Sequence, residues 1–505
     1  MTGILIGFML GQLFAKAYGG TAWDVGRAIV QTPDGGFAVS GEAESFGTAG
    51  DFFLLKLNPD GTVQWVRCYG SASSDPCFSM IMTSDNGFAM TGRTSSFGAG
   101  SADALVLKVS SAGALEWART YGGTAYDFAW CITQTTDGGY ALTGTTQSSG
   151  AGGYDIFAIK LSSAGAVEWA RTFGGTNEEM GYCIIQTSDG GYAISGYTFS
   201  FAAGGNTDLI VIKLDASGNT LWARTFGGGG LEDAWGLVEA NDGGIVACAE
   251  TGSGYGAGGI DFLIVKLNPD GSTAWIRTYG GTGSDEARHM KKTADGGFVM
   301  TGWTNSYGVG QYDLIVIKIS SNGTLEWART LGGGSYDLGW MAIQTADGGY
   351  AVTGATASYG AGNYDFAVVR MDANGNYPAC VGTCSPSTNS PSPVTSSPTV
   401  GAAWTPTVIT PTVTTTTPSP TVTTICTTVG SDEADPSGPR PKITCSPVPG
   451  GALFNSPEAT DIRIYLADGR LAYSGELVQG ENRISLGQGA YLWMAGPHKG
   501  KVVVR

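Results

Sequence analysis

Carboxylates at a fixed spacing are the residues of this chain best suited to chemistry. Asp24, Asp75, Asp127, Glu179, Glu232 with Asp233, Asp285 and Asp337 recur 51 to 53 residues apart, each soon after a glycine-containing turn. Gathered in a ring, like charges raise one another's pKa or attract a cation. Two of them on either side of a sugar linkage would suit acid-assisted cleavage. The local alternative is that each carboxylate caps its own loop by accepting backbone N–H groups. Other catalytic chemistry is poorly supplied. The two histidines, His289 and His498, lie in separate parts of the chain, so no Ser-His-Asp triad or His-rich zinc site assembles. There is no phosphate loop, no dinucleotide fingerprint and no sign of an organic cofactor.

The spacing of these carboxylates belongs to a longer repeat. Asp34, Asp85, Asp137, Asp189, Asp242, Asp295 and Asp347 each open an Asp-Gly-Gly or related turn. A second Asp follows each, at Asp51, Asp103, Asp155, Asp208, Asp261, Asp313 and Asp365, then six times a Trp, from Trp65 to Trp327. Self-similarity with a period near 50 marks a repeat architecture. Within one period, runs such as Trp130-Cys131-Ile132-Thr133-Gln134 and Ile156-Phe157-Ala158-Ile159-Lys160-Leu161 are strand-length and divided by Gly-rich turns. Four antiparallel strands per unit, repeated radially, predict an all-β, seven-bladed propeller. A β-solenoid is the rival, but its coils are usually shorter.

With strands a to d counted from the axis, the d–a and b–c loops share one face. Strict repetition fits fold maintenance: the Asp before strand c pins the b–c loop, and the strand-d Trp packs between blades. Function is expected where the repeat breaks, at Glu178-Glu179, Leu231-Glu232-Asp233, Phe199-Ser200-Phe201 and Arg288-His289. Phe46, Phe97, Tyr255, Tyr307 and Tyr359 on b–c loops face the same way. Aromatics beside carboxylates suit sugar stacking and hydroxyl bonding. The bland alternative is that they cover the blade ends.

The last unit runs out at Asn374-Gly375-Asn376-Tyr377-Pro378 without a Trp, while Phe14-Ala15-Lys16-Ala17-Tyr18-Gly19-Gly20 reads like Trp117-Ala118-Arg119-Thr120-Tyr121-Gly122-Gly123. An N-terminal strand d would therefore complete the seventh blade and close the ring. "KLDASGNTLWARTFGG", from Lys213 to Gly228, resembles the Leu-Asp-x-x-x-Gly-x-x-x-Trp signature of quinoprotein-type propeller repeats, and the whole unit resembles bacterial propeller repeats of unassigned role. That resemblance spans residues 11–378 and implies the fold. It also names a quinone-dependent dehydrogenase as a weaker alternative, for which no cofactor-specific residues are visible.

A formal net charge of −16 argues against nucleic acid and anionic membrane surfaces as partners. No run after the N-terminus is long enough to span a membrane. Ile4 to Leu10 reads as a signal-peptide core without a preceding basic residue, so residues 1–10 are taken as the remnant of a signal peptide. Nine cysteines leave at least one unpaired. Cys131 and Cys183 fall at one repeat position and read as small buried apolar residues. Cys380 with Cys384, and Cys426 with Cys445, are candidate disulfides in an oxidising compartment.

Residues 379–444 are rich in Thr, Pro and Ser and read as a disordered, extended stalk, a site for glycosylation. Residues 445–505 alternate as a small β domain. "SPVPGG", "IRIYLADGRLAYSGEL", "GENRISL", "GAYLW" and the terminal "KVVVR" resemble the C-terminal sorting domain of type IX secretion cargo. The resemblance implies an immunoglobulin-like sandwich, outer-membrane secretion machinery as a partner, and an extracellular or surface-attached location. Together these features describe a propeller that binds an extracellular glycan or protein. The alternatives are a polysaccharide lyase or glycoside hydrolase using the d–a carboxylates, and a structural surface protein.

Overall fold

The computed structural model describes residues 13–46 and 50–377 fully and, between 381 and 504, the backbone of a series of strands. The chain divides into two units, Met1–Val429 and Gly430–Arg505. The first is an all-β ring of seven antiparallel blades, a seven-bladed propeller. In blade 3, strand a is Asp127–Gln134, b is Tyr140–Thr146, c is Asp155–Leu161 and d is Val167–Phe173.

Local chemistry explains each part of a blade. Strand c is β-branched and buried along its whole length, because it lies between two neighbouring blades. Strand d grows more buried along its length, from Glu168 in solvent to Thr172 and Phe173 in the core. The a–b turn is tied by Asp137, whose Oδ1 accepts the Thr135 hydroxyl at 2.6 Å and the Gly139 N–H at 2.9 Å. Gly138 takes φ +82°, where a side chain would be strained. Lys160 of strand c is buried, yet its ammonium reaches Asp137 at 2.9 Å and Glu168 at 3.1 Å. That pairing makes a buried cation tolerable. Lys56, Lys108, Lys213, Lys266 and Lys318 repeat the contact to the turn Asp, and Arg370 takes the place of Lys in blade 7.

The ring closes as its termini suggest. Phe14–Gly19 pairs antiparallel with Asp365–Met371 as strand d of blade 7. Phe14 lies under the turn glycine Gly61, where an added Cβ would sit 2.8 Å from its ring, just as Trp65 lies 2.9 Å from a Cβ at Gly113. Tyr18 donates its hydroxyl to the Gly61 carbonyl at 2.6 Å, repeating Tyr69 to Gly113 at 2.7 Å and Tyr121 to Gly165 at 2.6 Å. Gln31 accepts the Ala346 N–H across the seam at 2.8 Å, the bond Gln186 makes to Thr136 within the ring. The seam is thus sealed by the contacts that join any two blades.

The Thr/Pro-rich stretch differs from the unfolded stalk expected there. Seven short strands between Val381 and Cys426 each pair with the outer strand of one blade, so every blade is five-stranded. The stretch has too little apolar surface to fold by itself, but the blades' free edges supply its backbone partners. The second unit contains a three-stranded sheet, Thr444–Val448, Gly451–Ser456 and Gly480–Ser485, and a four-stranded sheet, Leu471–Leu477, Thr460–Leu466, Gly489–Ala495 and His498–Val504. Residues 1–10, and the side chains of the expected disulfides at Cys380, Cys384, Cys426 and Cys445, lie outside the described residues.

Candidate functional site in the propeller channel

One residue per blade escapes the regular pairing of the innermost strand. Pairing of a with b skips a residue between Gly26 and Ala28, Cys77 and Ser79, Ala129 and Cys131, Gly181 and Cys183, Ala234 and Gly236, Ala287 and His289, and Gly339 and Met341. Such bulges re-aim a side chain out of the sheet's alternation. The skipped residues are Arg27, Phe78, Trp130, Tyr182, Trp235, Arg288 and Trp340.

These seven make a closed collar. In order around the ring, Arg27 lies 5.7 Å from the centre of Phe78, Phe78 stacks on Trp130 at 4.2 Å, and Trp130 meets Tyr182 edge-on at 5.4 Å. Tyr182 stacks on Trp235 at 3.9 Å, the Arg288 guanidinium is 4.6 Å from Trp235 and 5.8 Å from Trp340, and Arg27 covers Trp340 at 4.0 Å. Trp303, from strand b of blade 6, stacks on Arg288 at 3.9 Å. Each aromatic pair contributes roughly 0.5–1.5 kcal/mol beyond area burial, and each desolvated cation–π contact up to about 2 kcal/mol. The collar bounds a cavity of ≈ 130 Å³ that also reaches Cys131, Cys183 and His289.

The collar's polarity is uneven. Arg27 pairs with Glu42 at 2.7 Å, and Arg288 holds Glu250 at 2.6 Å and Glu286 at 2.8 Å. Burial pushes the Glu250 carboxyl up to about 7 despite Arg288. Asp233, the register partner of Glu250 in the sheet, is raised too, again by burial first, and its Oδ1 has no hydrogen-bond partner. The indole N–H groups of Trp130, Trp235 and Trp340 and the Nε–H of Arg27 and Arg288 are likewise buried and unpartnered. Buried donors of this kind cost about 1–3 kcal/mol each when unmet, so they favour an acceptor-rich guest.

Past the collar the channel carries sulfur and nitrogen. Cys131 and Cys183 bring their Sγ atoms to 3.9 Å. The Cys183 thiol draws the Cys131 pKa down, while the pKa of Cys183 itself rises through that pairing and its burial. Burial, then Lys291, holds His289 well below the usual imidazole range, so it is neutral, and its Nδ1 is unpartnered. At the a–b face a second cavity of ≈ 410 Å³ is lined by Ile29, Met80, Met341, Lys291 and Lys292 among others.

The sequence-selected carboxylates sit elsewhere. Asp24, Asp75, Asp127, Glu179, Glu232, Asp285 and Asp337 are buried, and each accepts the N–H of the residue four positions earlier, from Gly20 to Gly333, at 2.7–3.0 Å. Four of them also accept a strand-b hydroxyl, from Thr94, Thr198, Thr251 and Thr356. They hold the d–a loops, and among the described residues no three His, Cys, Asp or Glu side chains converge to hold a metal ion. Asp233 alone of the set joins the channel cluster. Tyr255, Tyr307 and Tyr359 donate their hydroxyls to Gly227, Gly280 and Gly332 at 2.8, 3.0 and 2.9 Å, closing the end of strand d, and Phe97 is half-buried on its own b–c loop. Of the collar, sequence reasoning picks out only Arg288, although the signal is present in all seven repeats: an aromatic or Arg three residues after each strand-a carboxylate.

A family model for a β-propeller domain of unknown function (DUF5122) matches residues 32–63. No curated protein matches. Among solved structures, a Bacteroides caccae protein of unknown function is 11% identical, with 63% of this chain and 93% of that chain covered and a TM-score of 0.32. PorZ, a surface component of the type IX secretion system of Porphyromonas gingivalis, is 12% identical over 93% of this chain and 57% of its own, with a TM-score of 0.35. A putative gluconolactonase is 11% identical over 53% of this chain and 84% of its own, with a TM-score of 0.30.

Proposed function

We propose that this protein is a secreted or surface-attached binding module whose channel mouth takes the end of an extracellular glycan. The observation that carries the reading is the collar: aromatic faces surround buried N–H donors that have no partner within the protein. Sugar rings offer faces that stack on aromatics and oxygens that accept from indole and guanidinium groups. A cavity of ≈ 130 Å³ suits a chain end better than an internal segment. A protein side chain rich in acceptors would use the same groups. Export through the C-terminal unit rests on its sequence resemblance to sorting domains.

A hydrolase is the second reading, because Asp233 and Glu250 are register partners behind the collar's Arg288 and Glu250 stays partly protonated near neutrality. A raised carboxyl can donate a proton while its neighbour remains charged. One assay separates the readings: the full chain is passed over immobilised polysaccharides and the eluted sugars are weighed by mass spectrometry. Retention with intact chains, lost in Trp235→Ala and Trp340→Ala but kept in Tyr359→Ala, supports the binding head. Equal retention by the Trp variants, with their fold verified by circular dichroism, rules the collar out. Shortened chains, abolished by Glu250→Gln, establish the hydrolase.

A further inference from the structure

The outer edges of the blades carry a pattern independent of the channel. A propeller blade ends in a strand whose outward N–H and C=O groups are free, and such edges recruit strands from other chains. Here each edge is occupied by the chain itself. Val381–Cys384 pairs with blade 6, Ser387–Asn389 with blade 5, Val394–Ser396 with blade 4 and Ala402–Ala403 with blade 3. Thr407–Ile409 follows on blade 2, Thr414–Thr416 on blade 1 and Thr421–Cys426 on blade 7. The order runs once round the ring against the blade order and ends on Phe14–Gly19, the strand that closes it.

Register repeats as well as order. In six blades the first residue of the added strand faces the last residue of strand d: Val381 with Leu331, Ser387 with Gly280, Val394 with Gly227, Thr407 with Gly122, Thr414 with Gly70 and Thr421 with Gly19. The sequence carries the same beat. Pro386, Pro391, Pro393, Pro398, Pro406, Pro411, Pro418 and Pro420 all fall between the strands, at least one in every interval, and none falls within a strand. Proline lacks the N–H a strand needs and so divides them. The strands are largely Thr and Val, which suit extended backbone. Successive strands start five to eight residues apart, and eight extended residues reach at most about 29 Å.

We propose that the seven outward edges form one strand-binding surface encircling the propeller, and that residues 381–426 of the same chain are its occupant. They form a belt that fastens the closing strand and bars the edges from a second copy. Main-chain bonds give such added strands their affinity and are indifferent to most side chains, which fits a low-complexity sequence.

Hydrogen–deuterium exchange on the full chain tests this. Amides in the belt strands should exchange at least about tenfold more slowly than unstructured peptide, as hydrogen-bonded edges do. Thr395→Pro should erase that protection on blade 4 while leaving Thr421–Cys426 protected. Replacing 387–426 by a Gly/Ser segment of equal length should speed exchange at Thr225–Gly227 and Thr278–Gly280 and shift the chain from monomer to oligomer in light scattering. Unstructured rates throughout 381–426 in the native chain would overturn the belt. A protected belt in a native chain that is dimeric would overturn the same-chain occupant in favour of exchange between copies. A Gly/Ser variant that stays monomeric with unchanged strand-d exchange would overturn the guarding role.

Discussion

Replacing Glu250 by Gln tests whether the buried Glu250–Arg288–Glu286 group is a strained charge cluster. Glu250 is 6% exposed, and its carboxyl is raised from 4.5 to about 7, by burial first and against the pull of Arg288. A carboxyl whose folded pKa exceeds its unfolded value favours the folded state fully below the unfolded pKa and loses that contribution as pH rises through the folded one. At about 1.4 kcal/mol per pKa unit, ionising Glu250 in place costs the native protein on the order of 3 kcal/mol at pH 8 and on the order of 1 kcal/mol at pH 5. Gln keeps the shape and an acceptor oxygen for Arg288, which retains Glu286 at 2.8 Å. The variant should therefore gain on the order of 2 kcal/mol relative to the native chain on going from pH 5 to pH 8, whatever fixed cost the weaker Arg288 bond adds. Urea unfolding followed by tryptophan fluorescence at both pH values reads this difference. Parallel pH dependence of the two proteins would refute the reasoning, since Glu250 would then titrate alike folded and unfolded.

The ring makes further demands. Phe14→Ala should cost about 3–4 kcal/mol and open the blade 7 edge, seen as faster exchange at Phe366 to Arg370, because Phe14 fills the place of the strand-d Trp. Asp127→Ala removes the partner of the half-buried Gly123 N–H and Ser148 hydroxyl and should lower stability by about 1–3 kcal/mol in thermal unfolding, with collar-dependent binding retained. Cys131 should alkylate with a pH midpoint below that of an ordinary thiol, since Cys183 favours its thiolate, and Cys183→Ala, which removes the donor, should move the midpoint upward; iodoacetamide labelling read by mass spectrometry measures both.

The sequence alone determined the blade, the blade count and the closure. Turns such as Asp137-Gly138-Gly139 act within one repeat and the strand-d Trp on the next, so seven turn signals and six Trp are legible without coordinates. Phe14 to Gly20 betrayed the closing strand because it repeats the same local pattern. The roles of the strand-a carboxylates stayed open in sequence, because a channel ring and a loop cap ask for the same residue. Burial and the N–H of Gly123 or Gly175 decide for the cap. The collar exists only in tertiary structure: Arg27 and Trp340 are 313 positions apart in the chain yet 4.0 Å apart in the molecule. A bulge turns each inward, and ring closure makes them neighbours. The belt is likewise a tertiary product. Thr and Val tell a strand that it could form, but only seven unpaired edges at the right separation give it somewhere to bind.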